Sequence, residues 1–259
     1  RSSDGRYRDG DMKSLVTIDV EGTLTGGHAP DEDPFASVDR VDAMLADTDL
    51  TASLFVTPAV VRNRPAVVER WLDGDSAVGL HVHPAQLSVG ESDWLTDYDR
   101  DAIARLLATG CETFEDVLDV TPSTFRAGRW EYSERLLSAL DAQGITRDFS
   151  LKPARGTDPY TSAGVREFPL TVYGGRAVRL LTAPWEFNAV PLTADAFLTN
   201  PALAAGFHAV TWRLLNSDAP YVMASYHDYD LLDPAVAKRV ERYQSFLVDR
   251  STPVTVADL

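Results

Sequence analysis

The chain has 259 residues, 44% of them apolar, five tryptophans and a formal charge of −15, which describes a globular protein with one large core and excludes a disordered polymer. Its 39 acids are 28 aspartates and 11 glutamates, set against 21 arginines and only three lysines (Lys13, Lys152, Lys238). Such a surface repels bare nucleic acid and anionic lipid, and its aspartate-heavy, lysine-poor balance reads as halophilic, suited to concentrated salt where charge is strongly screened.

Residues 1–11 are polar and aperiodic and are read as a tail; residues 12–259 are read as one domain. Strand-like apolar runs then alternate with helical ones. A strand at Leu15–Val20 precedes a helix at Ser37–Ala46. A strand at Ala52–Thr57 precedes a helix at Pro65–Leu72, whose proline suits the first turn. The third strand is Ala77–His83. A long helix over Asp97–Leu118 places Ile103, Leu106, Leu107, Cys111 and Phe114 on one face. Cys111 is the sole cysteine, so no intrachain disulfide forms and a small core residue is expected. "STFRAG" is the fourth strand, Glu131–Ala142 a helix closed by Gly144, and "ITRDFS" the fifth strand. A hairpin in "VREFPLTVYGGRAVRLLT" is expected to turn at Gly174–Gly175. A helix at Pro201–Leu215, a strand "YVMASYH", a helix at Pro234–Leu247 and a strand "PVTVA" complete the chain. The alternation predicts a single α/β domain with a mainly parallel sheet, barrel or open. No run is long and apolar enough to cross a bilayer, so a cytoplasmic protein with no membrane partner is expected.

In such folds functional residues gather at the C-terminal ends of strands. Asp19 and Glu21 end the first strand, His81 and His83 the third and Arg126 the fourth. Asp148 falls in the fifth, and His227 with Asp228 ends the late one. Two of only five histidines thus sit one residue apart at a strand end. One carboxylate and two imidazoles suit a zinc-like ion and leave a position open for water, whose pKa the ion lowers towards about 7. A His-Pro pair can also simply close a strand, Asp19 could cap a helix, and Arg126 could be a structural ion-pair partner. His208, mid-helix, reads as a core residue and His28 as a loop residue. Of Trp94, Trp130 and Trp185, only Trp130 is expected to line a site.

These segments resemble the polysaccharide deacetylases, the metal-dependent deacetylases of carbohydrate esterase family four. "TIDVEGT", "GLHVHP", "FRAGRW", "GITRDFS" and "ASYHDYD" match the family's motifs in order, over roughly residues 15–230. The resemblance implies a distorted (β/α) barrel of about seven strands, one divalent metal of the Zn type, and a small-molecule or glycan substrate. It also implies roles: Asp19 the general base, Glu21, His81 and His83 the metal ligands, Arg126 the partner that orients Asp19, and His227 the acid that protonates the leaving amine. A backbone N–H near Gly128–Trp130 would help hold the oxyanion, and Trp130, Arg129 and Asp148 would bind substrate. The chain departs from the family in carrying Asp-x-Glu where many members have adjacent aspartates. It also spaces its histidines by two where many have four. Loops at Pro84–Asp97 and Lys152–Tyr160 would set substrate choice.

Two other readings follow from the same residues. "DVEGTLTGG" also resembles the opening motif of haloacid dehalogenase-type phosphatases, with Asp19 as nucleophile, Glu21 as acid and Mg²⁺ at the site. That leaves His81, His83, "FRAGRW" and His227 without a part. A non-catalytic glycan-binding relative would keep the metal and lack turnover.

Overall fold

The computed structural model describes residues 12–22, 33–48, 50–87, 92–150, 159–169, 172–174, 189–191, 201–216 and 221–259. The eleven-residue tail, His28, Trp185 and most of the Lys152–Tyr160 loop lie outside them. The strands are β1 (Lys13–Val20), β2 (Ser53–Val56), β3 (Ala77–Val82), β4 (Thr124–Ala127), β5 (Arg147–Asp148), β6 (Tyr160–Ser162), β7 (Val165–Glu167), β8 (Val172–Gly174), β9 (Ala189–Pro191), β10 (Val222–His227) and β11 (Thr252–Val254). The helices are α1 (Ala36–Ala46), α2 (Pro58–Asn63), α3 (Pro65–Asp73), α4 (Arg100–Leu118), α5 (Glu134–Ala142), α6 (Pro201–Leu215) and α7 (Pro234–Val248).

The main sheet runs β10-β1-β2-β3-β4-β5-β7-β6, parallel throughout except for the β6–β7 hairpin. β11 pairs with the first residues of β1, ahead of the stretch that pairs with β2. The sheet curls until its ends meet through side chains: the Tyr221 hydroxyl donates to the Pro169 carbonyl at 2.7 Å, and the Tyr221 ring lies 6.5 Å from Phe168. This is the distorted, incompletely closed (β/α) barrel that the family resemblance implies, built as one domain; the alternation of elements alone left barrel and open sheet undecided.

Alternation along each strand divides the core in two. Val16, Ile18, Val20, Leu54, Val56, Leu80, Val82, Phe125 and Ala127 pack outward against the helices. Leu15, Phe55, Phe149, Phe168, Tyr221 and Met223 fill the barrel interior. The same period carries Thr17, Asp19, His81, Arg126, Ser225 and His227 inward, above that apolar floor.

Local chemistry sets where helices begin. α4 starts after Asp99, whose carboxylate accepts the Ala102 N–H, and α5 after Ser133, which accepts that of Leu136. Both therefore begin three residues later than periodicity suggests, and Leu95–Asp97 is a separate 3-10 turn. α2 has no counterpart in the sequence reading. It is parted from α3 at Arg64, which precedes Pro65 and is driven out of helical geometry (φ −135, ψ 47). The hairpin also differs from expectation. Val165–Glu167 pairs with Tyr160–Ser162 around a two-residue turn at Ala163–Gly164, while Val172–Gly174 pairs with Ala189–Pro191. Gly175, half of the expected turn, lies outside the described residues. Both residues of the real turn have positive φ (48 and 84), as a hairpin of this length demands. A Cβ at Gly164 would strike the Asp141 carboxylate.

Candidate metal and catalytic site

β1, β3, β4 and β10 deliver their inward residues to one mouth at the C-terminal edge of the sheet. His227 lies in register with Asp19, and His81 with Arg126. Below the mouth, the Arg126 guanidinium is fully buried between two rings, 4.1 Å from the centre of Phe55 and 4.4 Å from that of Trp130. Each of its five N–H groups has an acceptor. Nε donates to the Phe149 carbonyl (3.2 Å), Nη1 to Asp19 Oδ1 (2.6 Å) and Ser225 Oγ (3.2 Å), and Nη2 to Thr17 Oγ1 (3.0 Å) and Met223 Sδ (3.6 Å). Burial lowers its pKa and Asp19 works against that.

Above this network sit Glu21, His81 and His83, all buried, with ligand atoms within 4.8 Å of one another. Glu21 Oε1 is 3.1 Å from Nε2 of both histidines. The opposite nitrogen of His81, Nδ1, lies 2.8 Å from the Arg126 carbonyl. A carbonyl only accepts, so Nδ1 carries the proton and a neutral His81 turns the lone pair of Nε2 towards a carboxylate oxygen. Acceptor then faces acceptor. Extra protons on the imidazoles, or a cation among the three groups, would relieve the conflict. Burial by itself raises the Glu21 carboxyl, but the two imidazoles, once protonated at Nε2 as well, donate to it and outweigh burial, holding the group far below the usual carboxylate range. Burial likewise disfavours protonated His83, and Glu21 overcomes it so that the imidazole is pushed up. The donor set and its unresolved electrostatics fit a divalent cation. The His83 ring lies flat over Gly128, where a Cβ would come within 2.5–2.7 Å of three ring atoms, so only glycine lets the ring adopt this place.

His227 completes the mouth. Its Nε2 is 3.8 Å from Glu21 Oε1 and 4.0 Å from Asp19 Oδ2, and its ring stacks on Tyr229 at 4.7 Å. The carboxylate beside it is not Asp228. Asp228 turns to the helix side, where it is buried and accepts the N–H groups of Glu21 (3.1 Å) and Gly22 (2.9 Å) and the Ser37 hydroxyl (2.8 Å), fixing the exit of β1. Burial pushes Asp228 up to about 6 against those three bonds. Asp230 is the acid at His227: its Oδ2 accepts the His227 backbone N–H at 3.0 Å and lies 3.9 Å from Nδ1. The three-residue spacing in "HDYD" was the available signal for it.

The three residues expected to bind substrate are placed differently from one another. Trp130 is half-buried and lies over Arg126. Arg129 is at the rim, bonded to Asp93 and stacked on Trp94 at 4.7 Å. Asp148 is not brought to the mouth. Phe149, directly after β5, faces the interior against Phe55 and Phe168, so Asp148 faces outward, bonded to Ser150 and beside Glu167. Ser150 in turn accepts the Ala127 N–H at 2.7 Å, so Asp148 supports the end of β4 from behind.

No protein-family model and no curated protein matches the sequence. Solved structures do share its fold. A protein of Mycobacterium smegmatis ascribed to the polysaccharide deacetylases matches 98% of this chain and 91% of its own at 14% identity, with a TM-score of 0.67. The family 4 carbohydrate esterase of Streptomyces lividans, solved with acetate, matches 94% and 93% at 13% identity and a TM-score of 0.56. A family 4 pseudoenzyme of Bacillus anthracis matches 98% and 66% at 12% identity and a TM-score of 0.51. The chain has the polysaccharide deacetylase-like fold, the one carried by carbohydrate esterase family 4. Among the described residues no helix is long and apolar enough to cross a membrane.

Proposed function

We propose that the protein is a metal-dependent hydrolase of C–N (amide) bonds that removes acetyl groups from an N-acetylated sugar or glycan. The observation that carries this reading is the buried Glu21–His81–His83 group, which sets carboxylate oxygen against imidazole lone pair beside an ion-paired aspartate and a third imidazole, His227. Glu21, His81 and His83 would hold a divalent cation, and Zn²⁺ suits their nitrogens and oxygen. Such a cation, when bound, polarises the acyl oxygen and acidifies water. Asp19 gives one carboxylate oxygen to Arg126 and keeps Oδ2 towards the mouth, where it takes the proton of the attacking water. The C–O bond forms, the C–N bond breaks, and His227 Nε2 gives a proton to the departing amine. The backbone N–H groups of the turn at Gly128–Trp130 would face the developing oxyanion. A phosphatase with Asp19 as nucleophile is disfavoured because it leaves the clustered His81, His83 and His227 without a part.

The test measures bound metal and acetate release from an N-acetylated chito-oligosaccharide, in concentrated salt because of the −15 charge. Wild type should carry one Zn-type ion that His81→Ala loses. Asp19→Asn should keep the ion and lose about 10²–10⁴-fold in turnover. A wild type that binds no metal, or an Asp19→Asn variant as fast as wild type, overturns the reading. Metal without turnover on any acetylated glycan would place the chain with the pseudoenzymes.

A further inference from the structure

His83 is held differently from His81, and a residue that no motif points to accounts for it. The ring nitrogen of His81 away from Glu21 is fixed by a backbone carbonyl. The corresponding nitrogen of His83, Nδ1, is buried without a hydrogen bond, and Asp93 Oδ1 stands 3.5 Å from it. Asp93 is not free to move away. Arg129 donates from Nε (2.6 Å) and approaches with Nη2 (2.5 Å), both to Oδ2, which leaves Oδ1 turned to the imidazole. Trp94 stacks on the same guanidinium. The backbone of Arg129 and Trp130 is left-handed at both residues (φ 60 and 58) although neither is glycine, a conformation that persists only where the surroundings over-determine it. The result is a strained turn that brings Arg129 out to Asp93 while Gly128 lies under the His83 ring.

Resting on the metal reading above, we propose that Asp93 is a positioning residue for His83. It accepts the Nδ1 proton, so that Nε2 presents its lone pair beside Glu21, and Arg129 holds it there. The distance needs to close by about half an ångström to become a normal hydrogen bond. Metal-ligating imidazoles almost always have such an acceptor, and losing it costs about 10–100-fold in metal affinity. Asp93 touches neither the proposed ion nor the substrate; it acts through His83.

The probe is Co²⁺ alone, titrated into the full-length chain and followed by its visible absorption in competition with a chromophoric chelator. Asp93→Leu should weaken Co²⁺ binding about 10–100-fold. Asp93→Asn, which keeps a carbonyl oxygen for the Nδ1 proton, should retain most of the affinity. Should Asp93→Leu fail to fold, Asp93→Ser, polar but too short to reach the ring, carries the same expected loss. Glu131→Gln is the control. Glu131 ties the same segment down through the Thr96 N–H (3.0 Å) and hydroxyl (3.1 Å) without touching His83, so its substitution should leave Co²⁺ affinity unchanged. Equal binding by wild type and Asp93→Leu, or an equal loss in Glu131→Gln, overturns the role of Asp93 while leaving the metal site standing. A wild type that takes up no Co²⁺ removes the metal site and this role together.

Discussion

Glu21 and Glu167 are buried to similar depth, at 3% and 0% exposure, in the same sheet. Glu21 follows β1 on the interior face and looks onto two imidazoles. Glu167 shares the outer face of β7 with Val165, which packs in the helix-side core, and looks onto Asp148. Burial pushes both carboxyls up. At Glu21 the imidazoles reverse that push, and at Glu167 the second carboxyl adds to it. Depth therefore does not decide charge; the group across the strand does. The interior arrangement is an anion with room in its chemistry for a cation, and the outer one is a pair of acids that must keep a proton.

The interior side of this contrast rests on Arg126, and removing it is the harshest way to break it. Arg126→Met leaves Asp19 buried and unpaired, and should destabilise the protein by about 3–5 kcal/mol. Denaturant unfolding at fixed salt checks this. Adding Asp19→Asn to Arg126→Met should return part of the loss, because a neutral amide is less costly to bury alone. A single variant as stable as wild type would mean that the network of Thr17, Ser225 and Asp19 holds together without its cation.

The interior ladder was legible in the sequence because a period of two admits little ambiguity on a strand. Asp19 and Glu21 share a face, as do His81 and His83, and each pair follows an apolar run that could only be a buried strand. Asp148 shows where that legibility ends. Alternation says that Asp148 and Phe149 face opposite ways, but which of them faces inward depends on pairing of Phe125 with Asp148 across β4 and β5. No local pattern encodes that register. Asp93 was hidden for a related reason: it lies on a loop, and only the left-handed turn at Arg129 and Trp130 brings its partner within reach. Asp228 stands next to His227 in sequence, but neighbouring positions at a strand end face opposite ways, so Asp230 is the carboxylate that reaches His227.

The outer pair gives the pH signature. Asp148 and Glu167 are both pushed above their ordinary values, chiefly by burial. The folded state therefore holds protons that the unfolded chain releases above about pH 4. Their contribution is fully present below that range and is lost as pH rises towards the folded values. Glu167→Gln, neutral at every pH, should relieve the loss: little change near pH 4, and a gain on the order of 1–3 kcal/mol at alkaline pH. Thermal unfolding across that range reads it. A gain of equal size at every pH would mean that packing, and not a retained proton, sets the difference.

The smallest expected effect separates the hairpin that carries Glu167 from the charge it carries. Ala163 sits at positive φ (48) in the two-residue turn between β6 and β7, next to Gly164. Alanine is poorly suited there, whereas asparagine tolerates the left-handed region and makes the Asn-Gly pair that such turns favour. Ala163→Asn should therefore raise stability by about 0.5–1 kcal/mol. Because the turn holds no titrating group, this gain should be the same at acid and alkaline pH, in contrast to that of Glu167→Gln. If the gain instead grew with pH, tightening the hairpin would be altering how closely Glu167 approaches Asp148, and the two carboxyls would owe their shared proton to turn geometry as well as to burial.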